Sequence, residues 1–181
     1  MRKHAGSKCE ICPYFVRASA LCYKTLAYLL SMTAPVGEKL MAVNILTRKL
    51  VDAKEVTICD PYFFIKPEDE KDNEYIESLI SVLPLKSLKK VNIFHQNYEI
   101  DILRNFRRRI QSHNILINMY RTKTIHDRVW IVEGKKAFVV GTSFQSLGGN
   151  KFSFILDLPD EDLETFNIHL QKERVKNTRG N

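Results

Sequence analysis

Apolar positions recur at helical spacing over the first fifty residues, and after that strand spacing and helical spacing alternate. From Pro13 to about Met32, residues Phe15, Ala18, Cys22, Leu26 and Leu29 form one stripe, which predicts a helix opened by the proline. The run "APVG" breaks it. A second helix is expected from roughly Glu38 to Ala53, with Leu40, Val43, Leu46 and Leu50 on its buried face and Lys39, Arg48 and Lys49 off it. At "EVTICDPYFF" β-branched residues run into Asp60 and Pro61, the pattern of a buried strand and its turn.

Beyond that point strands and helices alternate. Asn73 to Leu83 reads as helix, "KVNIFH" as strand, Glu99 to Ser112 as a basic amphipathic helix and "NILINMY" as strand. "RVWIVE" and "KAFVVG" form a hairpin turning at Gly134-Lys135, followed by strand "FSFILDL" and a helix from about Glu161 to Lys176. Strand-helix-strand-helix-strand predicts parallel pairing, and the hairpin adds an antiparallel part. The expected fold is α/β, a mixed β-sheet sandwiched between helices. Asp60 and His95 fall at carboxyl ends of strands, the edge where open α/β sheets bind ligands. The local readings are that Asp60 holds the turn at Pro61 and that His95 is a hydrogen-bonded strand-end histidine.

Charge sharpens this pattern. The chain has 181 residues and a formal charge of +7, and its cations are unevenly placed. Between Lys86 and Arg128 lie ten Lys and Arg but only Glu99, Asp101 and Asp127 as anions, whereas Glu68 to Glu77 is acidic. Such polarity suits a face that meets a polyanion, and equally a solvated basic surface. Arg104, Arg107, Arg108, Arg109, Arg121 and Lys123 are the candidate nucleic-acid contacts. No apolar run reaches the ~18 residues of a membrane span, and no signal peptide is read in "MRKHAGSKCE", so a cytoplasmic location is expected. Cys9 and Cys12 form a Cys-x-x-Cys pair with His4 and Cys22 as further possible zinc ligands. The second tight pair of a structural zinc site is missing, so free thiols are favoured and no cofactor is expected.

The most specific stretch is "TIHDRVWIVEGKKAFVVGTSFQSLGGNKFSFI", residues 124–155. If the backbone is extended from Ile125, then His126, Arg128 and Trp130 share one side and Asp127 faces the other. An imidazole can attack phosphorus, and a neighbouring guanidinium can hold phosphate oxygens through paired hydrogen bonds. Ser143 and Gln145, in the turn after the second hairpin strand, can donate to the same phosphate. The same residues also suit a purely structural role at strand ends.

This stretch resembles the signature of the phospholipase D superfamily, in which His-x-Lys is followed by an acidic residue and, after a hairpin, by a Gly-Ser turn and Asn. His126 takes the place of the His, Arg128 of the Lys, Glu133 of the Asp and Gln145 of the Asn. For the hydroxyl, spacing from Gly141 gives Thr142 and residue type gives Ser143. The stretch is more similar still to a variant bacterial branch reading His-Asp-Arg, Gly-x-Ser, then Leu-Gly shortly before a Lys. Arg for Lys, Gln for Asn and Glu for Asp depart from the main signature, and the interval from Glu133 to Gly141 is one residue longer.

The resemblance implies a phospholipase D-like half-domain over residues 37–181, with residues 1–36 as a helical extension. It implies metal-independent phosphodiester cleavage through a phosphohistidine, with nucleic acid as substrate and a place in bacterial defence or mobile-element biology. One motif copy in a two-histidine mechanism implies a homodimer, since His113 and His169 lack a cation two residues on. A non-catalytic module binding nucleic acid or phosphorylated and anionic ligands is the alternative, and an interaction protein with a vestigial pocket is the third reading.

Overall fold

The computed structural model describes residues 39–148 and 153–179. The helix expected between Pro13 and Met32, the boundary at residue 36, the Cys9/Cys12 pair and Lys151 of the Leu-Gly…Lys pattern lie outside these residues. The elements are α1 (Lys39–Lys49), β1 (Glu55–Cys59), α2 (Asp72–Ser81), β2 (Lys90–His95), α3 (Ile100–Ser112), β3 (Leu116–Arg121), β4 (Val129–Val132), β5 (Lys136–Val140), a 3₁₀ turn (Phe144–Ser146), β6 (Ile155–Leu158) and α4 (Asp160–Arg179). The strands form one mixed sheet in the order β3-β2-β1-β4-β5-β6. β1, β2 and β3 run parallel, and β4, β5 and β6 join them antiparallel. The expected α/β sandwich is therefore the fold observed.

Two apolar clusters flank the sheet. One gathers Ala42 and Leu46 of α1, Leu50 just after it, Leu79 of α2 and Phe106 of α3 against Val56, Ile58, Ile93 and Trp130. The other places Leu163 and Leu170 of α4 against Cys59, Phe94, Val129 and Ile131. Strand residues alternate between the clusters, as the two-residue period requires. The buried face of α1 is Ala42 and Leu46, continued by Leu50 in the turn that follows, and Leu40 is 74% exposed rather than buried as expected. Small Ala42 permits close approach to the core, while Lys39 pairs with Glu70 and Lys49 with Asp157 from the flanks.

The hairpin turn also begins one residue before its expected position. Glu133 (φ 55°) and Gly134 (φ 67°) are its two central residues, closed by Lys135 N–H donating to Val132 O. Positive φ at both positions suits the strand twist, and with Val132 level with Lys136 the loop is Glu133-Gly134-Lys135 rather than Gly134-Lys135 alone.

Candidate functional site

Strand register builds the site. Cys59 is level with Phe94 of β2 and with Val129 of β4, so the next position along each places Asp60 between His95 and Arg128. Asp60 N–H donates to Phe94 O at 3.0 Å, and Val140 N–H donates to Arg128 O at 2.8 Å. Residues near 60, 95, 128 and 140 thus meet at one edge of the sheet, the edge anticipated for a ligand.

Asp60 is the centre of this edge and only 1% exposed. Its Oδ1 accepts the Tyr62 N–H at 3.0 Å, which is the turn at Pro61 as read from the sequence. Its Oδ2 accepts the Phe144 N–H at 2.8 Å from 84 residues away, and the Ser143 hydroxyl bonds to the Asp60 carboxylate as well. Burial pushes its carboxyl above the usual range, opposed by those hydrogen bonds and by the Arg128 guanidinium.

Ser143, 3% exposed, accepts Arg128 Nε at 3.0 Å. The result is a continuous chain of hydrogen bonds, Arg128 to Ser143 to Asp60. It uses the Nε of Arg128 and leaves its terminal nitrogens without an acceptor among the described residues, a fork shaped for two phosphate oxygens. Of the two hydroxyls open from the sequence, Ser143 is the one bonded to Arg128.

Packing fixes the turn that supplies Ser143. Phe144 is 2% exposed, and its ring lies 6.0 Å from Phe63, 6.1 Å from Tyr75 and 6.4 Å from Trp130. Burying such a ring stabilises by about 2–3 kcal/mol and holds the adjacent N–H on Asp60. Gly141 enters the turn with its N–H on Phe154 O, and a Cβ there would sit 3.0 Å from the Phe154 ring, so no larger residue fits without displacing it.

His126 lies in the segment between β3 and β4, which becomes strand only at Val129. Exposure rises along the shared side: Trp130 is buried, Arg128 half-buried and His126 exposed. Gln145 is half-buried in the 3₁₀ turn next to Phe144. Glu133 is not brought to this edge. It stands at the other end of β4, about 16 Å along an extended strand from Arg128, where its carboxylate accepts the Lys54 and Glu55 N–H groups. Those two hydrogen bonds hold its pKa below the ordinary value.

The candidate cations divide in the same way. Arg121 and Lys123 are exposed at the site edge, Arg121 lying over the Tyr98 ring at 5.7 Å. Arg104, Arg107, Arg108 and Arg109 lie on α3, which starts at the site edge and runs to the opposite one. There Arg109 pairs with Glu77 at 2.5 Å, and Arg108 bonds Asn105. His113, which caps α3, is at that far end too. A groove of about 470 Å³ between Gly134 and the first half of α4 is likewise remote from His126.

His95 carries a feature invisible in the sequence. It is 4% exposed, with Phe64 and Tyr98 edge-on at 5.2 and 5.5 Å and its Nδ1 without a partner. Burial, then the Arg121 charge, lowers its pKa to about 4, so it is neutral at physiological pH. Among the described residues no cluster of His, Cys, Asp and Glu is arranged to hold a metal, and no helix is long and apolar enough to cross a membrane.

No family model matches the chain, and no curated protein matches it in sequence. Solved structures do. Nuc from Salmonella typhimurium, a phospholipase D family member, superposes with a TM-score of 0.52 at 17% identity, covering 78% of this chain and 90% of that one. NucT from Helicobacter pylori superposes with a TM-score of 0.52 at 16% identity, covering 77% and 91%. In fold, then, this chain is similar to the phospholipase D family, with the Arg128–Ser143–Asp60 chain at one edge of its sheet.

Proposed function

We propose that the protein is a phosphodiesterase acting on nucleic acid, with His126 as nucleophile and Arg128 as phosphate ligand. The observation that carries this reading is the Arg128–Ser143–Asp60 chain beside an exposed histidine, on a fold shared with a phospholipase D family member. A His126 ring nitrogen attacks phosphorus and the P–O bond to the leaving group breaks. The leaving oxygen takes a proton from a second acid, and water, losing its proton to that same group, then cleaves the phosphohistidine. His126 of a second copy supplies this acid, so the working form is a homodimer with the two sites facing across its axis. Arg128 spreads the phosphate charge over its terminal nitrogens, while Arg121 and Lys123 draw the polyanion to the edge. The chemistry so written uses no metal or cofactor.

A second reading has one observation in its favour. Arg128 is held by Ser143, but no third group orients His126 among the described residues, as it would in a preset nucleophile. A module that binds phosphorylated ligands or nucleic acid without cleaving them would need only the Arg128 half. Incubating the purified full chain with single- and double-stranded DNA, RNA and a nitrophenyl phosphodiester, in chelator and with added metal, separates the readings. The phosphodiesterase reading expects cleavage that His126→Ala abolishes while phosphate binding persists. Binding without cleavage under every condition supports the module.

A further inference from the structure

The segment from Arg121 to Arg128 leaves edge strand β3, crosses the ends of β2 and β1 and enters β4, carrying His126 with it. Its first half is bonded to one helix. Arg121 N–H donates to Asn177 Oδ1 at 3.0 Å, the Thr122 hydroxyl donates to Glu173 Oε2 at 2.7 Å, and Thr124 Oγ1 lies 3.1 Å from His169 Nε2. His169, Glu173 and Asn177 are four residues apart and therefore form one row along α4. Ile125, 4% exposed, packs in the same apolar cluster as Leu170. His126 is the next residue.

This row is more than helix packing requires. Leu163 and Leu170 already seat α4 on the sheet. Glu173 is nonetheless 4% exposed, and burying a carboxylate costs free energy that its partners, the Thr122 hydroxyl, Lys176 Nζ at 2.6 Å and the Thr124 hydroxyl, must offset. Thr122 is 5% exposed, and its N–H is bonded to His95 O, so the clamp ties the helix to the strand ends through one residue.

We infer that α4 is a clamp on the segment carrying His126, with Glu173 and Thr122 as positioning residues that set where the imidazole stands relative to Arg128. In its effect on cleavage the inference rests on the phosphodiesterase reading; the clamp itself does not. Because a displacement of about 1 Å in a reacting group costs up to ~100-fold in rate, loss of the clamp should lower kcat while phosphate contacts, and so KM, change little.

The test is amide hydrogen exchange on the full-length protein, wild type against Thr122→Val, Thr122→Ser and Glu173→Ala, followed by steady-state cleavage of the nitrophenyl diester. Thr122→Val keeps the side-chain shape and loses the hydroxyl, so it decides the matter if Glu173→Ala fails to fold. The expected result is faster exchange confined to residues 122–127, with β1, β2 and β4 unchanged. Thr122→Val should also lower kcat ~10-fold or more at similar KM, with Thr122→Ser restoring both. Wild-type exchange in Thr122→Val, or exchange that rises evenly across the sheet, would overturn the clamp. If wild type cleaves nothing, the phosphodiesterase reading fails, and the exchange pattern still decides the clamp.

Discussion

The two edges of the sheet are built from the same stretches of sequence and behave differently. At one end of β4, Arg128 enters a buried chain with Ser143 and Asp60; at the other, Glu133 caps two backbone N–H groups beside an exposed turn. Likewise α3 has its amino end at the first edge and spends Arg108 and Arg109 on local partners toward the second. A linear motif thus mixes residues that meet a ligand with residues that shape the hairpin presenting them. Only the sheet register tells them apart.

That contrast predicts unequal mutational costs. Asp60→Ala would strip acceptors from the part-buried Tyr62 N–H and the buried Phe144 N–H and leave Ser143 unanchored. It should destabilise by about 3 kcal/mol and abolish phosphate binding, measured by urea unfolding and titration with inorganic phosphate. Loss of neither would mean that the site edge is no more committed than the far one.

His95 supplies a pH signature for the site edge. Its folded pKa, about 4, lies below the ordinary 6.5, so the unfolded chain binds the extra proton first. Its contribution is full above pH 6.5 and is lost as pH falls toward 4, amounting to about 3 kcal/mol over that window. His95→Phe, which removes the unpartnered Nδ1, should flatten this dependence in urea unfolding at pH 7 and pH 5. An unchanged slope would show that other groups carry it.

Among the cations, replacing Arg121 and Lys123 with Ala should weaken nucleic-acid binding ~10-fold at low salt and reduce the salt slope by about 2. The triple change Arg107→Ala, Arg108→Ala, Arg109→Ala should weaken it less, because those residues trend away from the site. The reverse order, read by fluorescence anisotropy, would move the binding face onto α3. Glu133→Ala should have the smallest effect: a slight fall in melting temperature at pH 7 that shrinks as pH drops through the carboxylate range, with no change in phosphate affinity. A lost phosphate site would make Glu133 part of the pocket despite its distance.

Much of this was legible beforehand. "KVNIFH" coincides with β2, since a bounded run of β-branched and aromatic residues between helical periods has few other readings. The hairpin and both flanks of the Arg128 edge were legible too. What escaped were relations set by tertiary structure. Leu40 has the right spacing for burial, but Ala42 wins the contact because it lets the helix approach. Asp60 reads as a turn residue, and its turn is real, yet its carboxylate also serves Ser143 and Phe144, a pairing no local pattern encodes. Distinguishing Thr142 from Ser143 needed the Arg128 contact itself.

The most direct test is to trap the intermediate. Wild-type protein mixed with a phosphodiester substrate should be quenched in base, where phosphohistidine survives, and its peptides read by mass spectrometry. A substrate-derived phosphoryl group on His126, absent from His126→Ala, is the predicted result. Rapid cleavage by both proteins, with no adduct on any histidine, would contradict it.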